Sequence, residues 1–389
     1  MAQIVELTAH HVCIRLRRAI KHASHRREET DNLIVRCRLD DGSVGHGEGV
    51  PRDYVTGETI DSALQLLDRS RLREQLGQVG SFETAVSQAE ALRLAPIVGD
   101  TRGIGGNAAR CAVELAWLDA CGRRFGKPLS SLTSMLAPEC HAPSEVVRYS
   151  GAITSATGLK LRVSAWAQRL YGLRQIKVKV GITGQDDVSR LKVIRRCAGA
   201  AMDLRVDANE AWKPDEVVAR IRELERFGIT SVEQPVSHEQ VACLAQVRRE
   251  VQTPIMLDES LCGLVDGQRA IAEGLCDLFN LRLSKCGGFI PSLRLAQLAR
   301  KHGLRCQLGC QVGETAILSA AGRHFAASVG QLRYVEGSYD RRLVREALGR
   351  VDLTFGVGGK APALPGPGLG VEIDPDALAR VTVRTVRLT

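Results

Sequence analysis

The segment Gln175-Ile176-Lys177-Val178-Lys179-Val180 decides the fold. Apolar residues alternate with two lysines, the period of a β-strand, and a helical pattern follows. The same unit recurs along the chain. Short strands are read at 147–153, 175–180, 203–206, 231–233, 255–257, 278–283, 305–308 and 333–335, with amphipathic helical stretches between them. Strands that alternate with helices make a parallel sheet, and eight of them favour closure into a barrel over an open sheet. No Gly-x-Gly-x-x-Gly opens a helix after an early strand, which counts against a dinucleotide fold.

The ionisable residues at the C-terminal ends of these strands carry the chemistry. They are Lys177, Lys179, Asp207, Glu233, Asp258 and Lys285, and from Lys179 onward successive members lie 28, 26, 25 and 27 residues apart. One strand–helix repeat separates each from the next, so five groups reach the end of a barrel where active sites are built. Any one acid could cap a helix, but unrelated surface charges have no reason to keep this interval. Three carboxylates without a nearby His or Cys suit Mg²⁺, or Mn²⁺, better than zinc. Lys177 and Lys179 project to the same side of one strand. Positive charge beside Lys179 favours the neutral amine that a general base needs. Lys285 rises four strands away and is expected to face a substrate from the opposite side. Loss of a proton next to a carboxylate leaves a dianionic enediolate, and a metal on the carboxylate oxygens stabilises that charge. A Schiff-base aldolase would also use a barrel lysine, but it does not need three evenly spaced carboxylates.

Ahead of the barrel, 4–17 and 32–39 read as strands, with a hairpin signal at Asp40-Asp41-Gly42-Ser43. Helical patterns follow at 59–77, 83–93 and 107–124. The tail after Val351 is rich in Gly and Pro, and its closing run 381–388 is expected to pack back on the N-terminal part. The expected organisation is an α+β domain over 1–135, a barrel over 140–345 and a return segment over 350–389.

Composition narrows the class. With 44% apolar and 25% charged residues the chain reads as a soluble globular protein, and no run of eighteen apolar residues offers a membrane span. The first ten residues read as a strand rather than a secretory signal. Twelve cysteines without a CxxC pair are expected to be free thiols, which places the protein in the cytoplasm. The net charge of +9 is spread over dispersed arginines with only 4% aromatics, so a basic surface suited to anionic substrates is expected, and no nucleic-acid partner.

These motifs resemble the enolase superfamily and, within it, the muconate lactonizing enzyme subgroup. The resemblance covers nearly the whole chain. It includes Gly45-His46-Gly47-Glu48-Gly49-Val50-Pro51 and Tyr54-Val55-Thr56-Gly57-Glu58-Thr59 ahead of the barrel. Within the barrel it includes Lys177-Val178-Lys179, Asp207-Ala208-Asn209, Val232-Glu233-Gln234-Pro235, Leu257-Asp258-Glu259-Ser260 and Ser284-Lys285-Cys286-Gly287-Gly288. It implies an α/β fold, a (β/α)7β modified TIM barrel under an α+β capping domain. It further implies Asp207, Glu233 and Asp258 as ligands of Mg²⁺, Lys179 and Lys285 as the acid/base pair, and Lys177 tuning Lys179 and touching the substrate carboxylate. Asn209 and Glu259 would orient the ligands. A lysine base beside Mg²⁺ is the general pattern of that superfamily. A mandelate-racemase-type histidine is missing from strand seven, which offers Gln307, Gln311 and Glu314.

The resemblance implies proton abstraction next to a carboxylate, as a racemase or epimerase of an N-acylamino acid or dipeptide, or as a cycloisomerase. The alternatives are an o-succinylbenzoate-type syn dehydration and, more remotely, a non-catalytic binding protein on the same barrel. The Asp-x-Asp that dipeptide epimerases carry on strand eight is missing from Val335-Glu336-Gly337-Ser338-Tyr339-Asp340, where Glu336 or Asp340 could take its place. Glu314, Glu336, His25 and Tyr54 are the candidates for substrate binding, the last two in specificity loops at 20–27 and 53–58. The partner is a small-molecule carboxylate, and assembly into a homo-oligomer is expected.

Overall fold

The computed structural model describes residues 1–21 and 26–388. The N-terminal part is built on an antiparallel sheet of β1 (Ile4–Lys21), β2 (Arg26–Leu39) and β3 (Val44–Gly49). The hairpin read from the sequence joins β2 to β3, with Gly42 at φ 89° and the Leu39 N–H donating to Ser43 O. Alternate glycines decide how this sheet packs. A Cβ on Gly47 would lie 1.9 Å from the Ala112 carbonyl oxygen, and Gly45 and Gly49 meet Ala120 and Ala108 in the same way. Small residues every second position on the strand and every fourth on the helix Asn107–Phe125 let backbone lie against backbone.

The second part is the parallel barrel. A short strand β4 (Val146–Arg148) leads into β5 (Gly151–Ile153), β6 (Gln175–Lys179), β7 (Asp203–Asp207) and β8 (Ile229–Glu233). β9 (Ile255–Leu257), β10 (Leu278–Leu281), β11 (Arg305–Leu308) and β12 (Leu332–Val335) complete it. β5 to β12 form one eight-stranded sheet in chain order, and the Ser150 N–H donates to Val335 O at 2.8 Å where its two ends meet.

Two strand expectations change. The strand read at 147–153 breaks at Tyr149-Ser150, because β4 leaves the barrel to pair antiparallel with β13 (Lys360–Pro362). The strand read at 278–283 ends at Leu281, and the chain turns back from Arg282, with the Cys286 N–H on Arg282 O. The closing run forms β14 (Thr382–Arg387), which pairs antiparallel with β1.

Buried carboxylates join the two parts. Glu114 accepts from the Phe289 and Ile290 N–H groups at the start of the helix Phe289–Lys301. Glu48 on β3 accepts from the Thr315 and Leu318 N–H groups at the start of the helix Ala316–Ser328. In each case an acid from the cap satisfies amide donors that a helix leaves open.

Candidate active site

Parallel register assembles the site. It sets Lys179 beside Asp207 and Asp207 beside Glu233, at the C-terminal ends of β6, β7 and β8. Asp258 follows β9 directly, and all three acids are fully buried. Lys177 Nζ lies 3.3 Å from Asp207 Oδ2, 3.4 Å from Glu233 Oε2 and 2.8 Å from Glu336 Oε1. Lys179 Nζ lies 3.1 Å from the same Asp207 Oδ2 and donates to Asn209 Oδ1. Asp258 is held by Lys285 on Oδ1 at 2.9 Å and by Arg282 on Oδ2. Arg282 Nη2 also reaches within 3.6 Å of Glu233 Oε1.

Burial and charge pull these groups apart electrostatically. Burial opposes ionisation of Asp207, but Lys179 and Lys177 outweigh it and hold its carboxyl below the usual range. Burial likewise opposes the charge on Asp258, and Arg282 and Lys285 hold it well down. Glu233 goes the other way, pushed up to about 8 by burial and by Asp207. Burial disfavours the Lys177 ammonium, yet Glu233, Glu336 and Asp207 keep it charged beyond the ordinary lysine range. The opposing carboxylate shifts arise because adjacent acids share a limited number of cations.

Other side chains hold these in place. The Asn209 N–H donates to Asp207 Oδ1 and its Nδ2 to Glu259 Oε1, so one residue links Lys179, Asp207 and the segment that follows β9. Gln234 accepts from the Asp258 and Ser260 N–H groups, splinting β8 to β9. Asn280 Nδ2 donates to Glu233 Oε1 at 2.8 Å. Asn209 and Gln234 have φ of 44° and 37°, the left-handed region that non-glycine residues adopt at a cost of about 1–3 kcal/mol. Neither Gln234 nor Asn280 stood out as a position-setting group in the sequence. Their signal is parity for Asn280, two residues beyond the inward Leu278, and adjacency to Glu233 for Gln234.

Residues 161–377, more than half of the chain, match the family model described as enolase C-terminal domain-like. The chain belongs to the enolase superfamily. An N-succinyl-L-Arg/Lys racemase of Bacillus cereus is 28% identical over 359 residues, covering 90% of either chain. The crystal structure of that B. cereus racemase superposes with a TM-score of 0.86 at 26% identity over 100% of both chains. A dipeptide epimerase from Cytophaga hutchinsonii, solved with Mg and D-Ala-L-Val, superposes with a TM-score of 0.84 at 25% identity over 100% of both. A muconate lactonizing enzyme from Pseudomonas fluorescens, solved with muconolactone, gives 0.84 at 26% identity over 98% of this chain and 99% of that one. The capped barrel expected from the sequence is the fold that these superfamily members share.

The enolase superfamily uses Mg²⁺, and Asp207, Glu233 and Asp258 are the residues that would hold it. Asp207 Oδ2 is buried without a hydrogen-bonded donor, as is Glu259 Oε2 beside Asp258. The donors are all oxygens from three successive strand ends, the set a hard divalent cation prefers. Lys177 and Arg282 lie among them, and no described group of three or more ligating side chains is drawn around one point. Donor type fits the ion, as do the buried Asp207 and Glu259 oxygens that take no hydrogen bond.

The remaining sequence candidates fall in different places. Glu336 stands between Lys177 and Arg205, whose Nη2 is 2.6 Å from its Oε1, and Arg205 is stacked over Tyr334. It is thus a counter-ion rather than an open carboxylate. Glu314 accepts from the Gln311 N–H and lines a small cavity with Glu336, Leu308 and Tyr149; burial pushes its carboxyl up to about 8. Tyr54 packs near Val55, Ile104 and Cys262, over the loop that follows Asp258, with Arg27 against its ring. His25 lies outside the described residues. Lys285 differs most from expectation. Its Nζ is buried and donates to Asp258 O, Asp258 Oδ1 and Asn280 O. The side chain that reaches the mouth from β10 is Arg282.

Proposed function

We propose that the protein is a divalent-metal-dependent enzyme that removes a proton from the carbon next to a substrate carboxylate, the substrate being an N-acylamino acid or a dipeptide. The observation that supports this most strongly is Lys179 at one barrel mouth with Asp207, Glu233 and Asp258. Racemase and epimerase relatives that act on N-succinyl-Arg/Lys and on dipeptides supply the substrate class.

Mg²⁺ held by the three acids would supply Lewis-acid stabilisation of the charge that develops on the substrate carboxylate; Mn²⁺ offers the same chemistry. Lys179 keeps 24% of its side chain exposed while Asp207 beneath it is fully buried, so it is the amine that a substrate meets. Asn209 fixes its Nζ against Asp207, which aims the amine along one line. Lys177 stays charged and places a fixed positive centre beside the acids, where a second anion enters. Racemisation or epimerisation requires, after this step, that a proton be returned on the opposite face. Cycloisomerisation and o-succinylbenzoate-type syn dehydration follow from the same first step. Twelve unpaired cysteines fit a reducing, cytoplasmic setting, and among the described residues no helix is long and apolar enough to cross a membrane.

Proton NMR in D₂O with Mg²⁺ tests this reading on N-succinyl amino acids, dipeptides, muconate and the o-succinylbenzoate precursor. A metal-dependent loss of an α-proton signal, or metal-dependent product peaks, is expected from at least one. Conversion that persists unchanged in EDTA would sink it.

A further inference from the structure

We propose that proton transfer in this enzyme is confined to the face of the substrate that Lys179 covers, because the opposite wall of the mouth carries Arg282 and not an amine. The inference rests on the proton-transfer reading above and deepens it by naming the stereochemical class of the reaction.

Strand parity makes the case. Met256, Leu278 and Tyr334 form the apolar base inside the barrel. On β10 the side chains on that inner side are therefore Leu278, then Asn280, then Arg282, rising toward the mouth at period two. Asn280 touches Glu233, and Arg282 touches both Asp258 and Glu233, as this parity requires. β6, which carries Lys179, and β10 lie four places apart in the eight-stranded sheet, so Lys179 and Arg282 approach from opposite sides.

Lys285 lies in the turn beyond β10. All three of its ammonium donors are taken, by Asp258 O at 2.6 Å, Asp258 Oδ1 at 2.9 Å and Asn280 O at 2.9 Å. Its own carbonyl accepts from Asn107, and the neighbouring Ser284 hydroxyl accepts from the Val50 N–H, so the cap locks this turn from outside. Lys285 therefore ties the end of β9 to the end of β10.

A guanidinium stays charged in proteins and donates without accepting, so Arg282 can stabilise an anion but cannot take a proton from carbon. On the Lys179 face the amine takes the α-proton, and the C–H bonding pair enters the carboxylate as it becomes an enediolate. The pair then has two outlets on that face. It takes a proton back from the Lys179 ammonium, which has exchanged with solvent, with configuration retained, or it forms a C=C bond as a β-substituent departs with its bonding pair and takes the Lys179 proton. Ring opening or closure of the cycloisomerase type uses the same single base. Inversion needs a second amine on the Arg282 side.

The test uses the full chain with Mg²⁺ and both enantiomers of N-succinylarginine in D₂O, followed by NMR and chiral chromatography. One enantiomer is expected to exchange its α-proton with configuration retained, at least about a hundredfold faster than it inverts. Interconversion of the two enantiomers at the exchange rate would overturn the inference while upholding the proton-transfer reading. A substrate-free arm separates the two ideas further. Reductive methylation followed by peptide mapping should label Lys179 and leave Lys285 unlabelled. Equal labelling of both lysines would also overturn the inference, whatever the NMR arm shows. In the variant Arg282→Lys, which supplies an amine at the far wall, inversion is expected to appear in the labelled substrate.

Discussion

Lys177 is the residue on which the charge balance of the site turns. Its ammonium is the shared partner of Asp207, Glu233 and Glu336, and all four side chains are at least nine-tenths buried. Replacing it by methionine keeps the volume and leaves three acids short of a cation. Lys177→Met is expected to cost about 3–5 kcal/mol of stability, the range for breaking one side of a buried ion pair. Denaturant titration in EDTA measures this, and a loss below about 1 kcal/mol would show that the acids rearrange freely. At this scale the sequence was legible wherever chemistry and period coincided. Lys177, Lys179 and the three acids stood out because charged residues recurred once per strand–helix repeat. Arg282 did not, since 258 to 282 and 258 to 285 both span about one repeat and only the second ends on an amine. Parity counted from the inward Leu278 separates the two, but which parity faces inward depends on packing across the barrel.

The helix starts show how elements from different parts of the chain depend on each other. Glu48 accepts from Asn32, from two backbone N–H groups and from the Thr315 hydroxyl, yet burial still pushes its carboxyl from the ordinary 4.5 up to about 7. A raised carboxyl binds its proton more tightly in the folded state than in the unfolded one. Its contribution is therefore complete below the ordinary value and is lost as pH climbs toward 7. Glu48→Gln is expected to flatten the decline in stability between about pH 4.5 and pH 7, read from denaturation midpoints across that window. An unchanged pH slope would mean that Glu48 is ionised throughout. Long alternating strands were legible because period two is a local property. The break of 147–153 into β4 and β5 was not, because the partner of β4 lies more than 200 residues away at Lys360–Pro362.

Over the whole molecule the cap and the barrel share buried polar contacts at the loops that follow β9, β10 and β11. Asn107 donates to Cys262 O and Lys285 O, Arg110 donates to Gly287 O, and Arg102 grips Asp266 with two bonds of 2.8 Å. Removing either part would leave these donors and acceptors unpaired, which costs about 1–3 kcal/mol for each buried group. The two parts are expected to unfold together although the chain is large for two-state behaviour. Fluorotryptophan NMR can read this, because Trp117 is buried in the cap and Trp212 at the barrel mouth. Coincident denaturation midpoints are expected, and separate ones would show that the interface is not what holds the molecule together. The central claim, that Lys179 is the base at this mouth, is tested most directly by α-proton exchange in D₂O with Mg²⁺, comparing the wild-type chain with Lys179→Ala on one substrate. The variant is predicted to fold normally and to lose exchange by about a hundredfold or more; exchange at the wild-type rate would contradict the account.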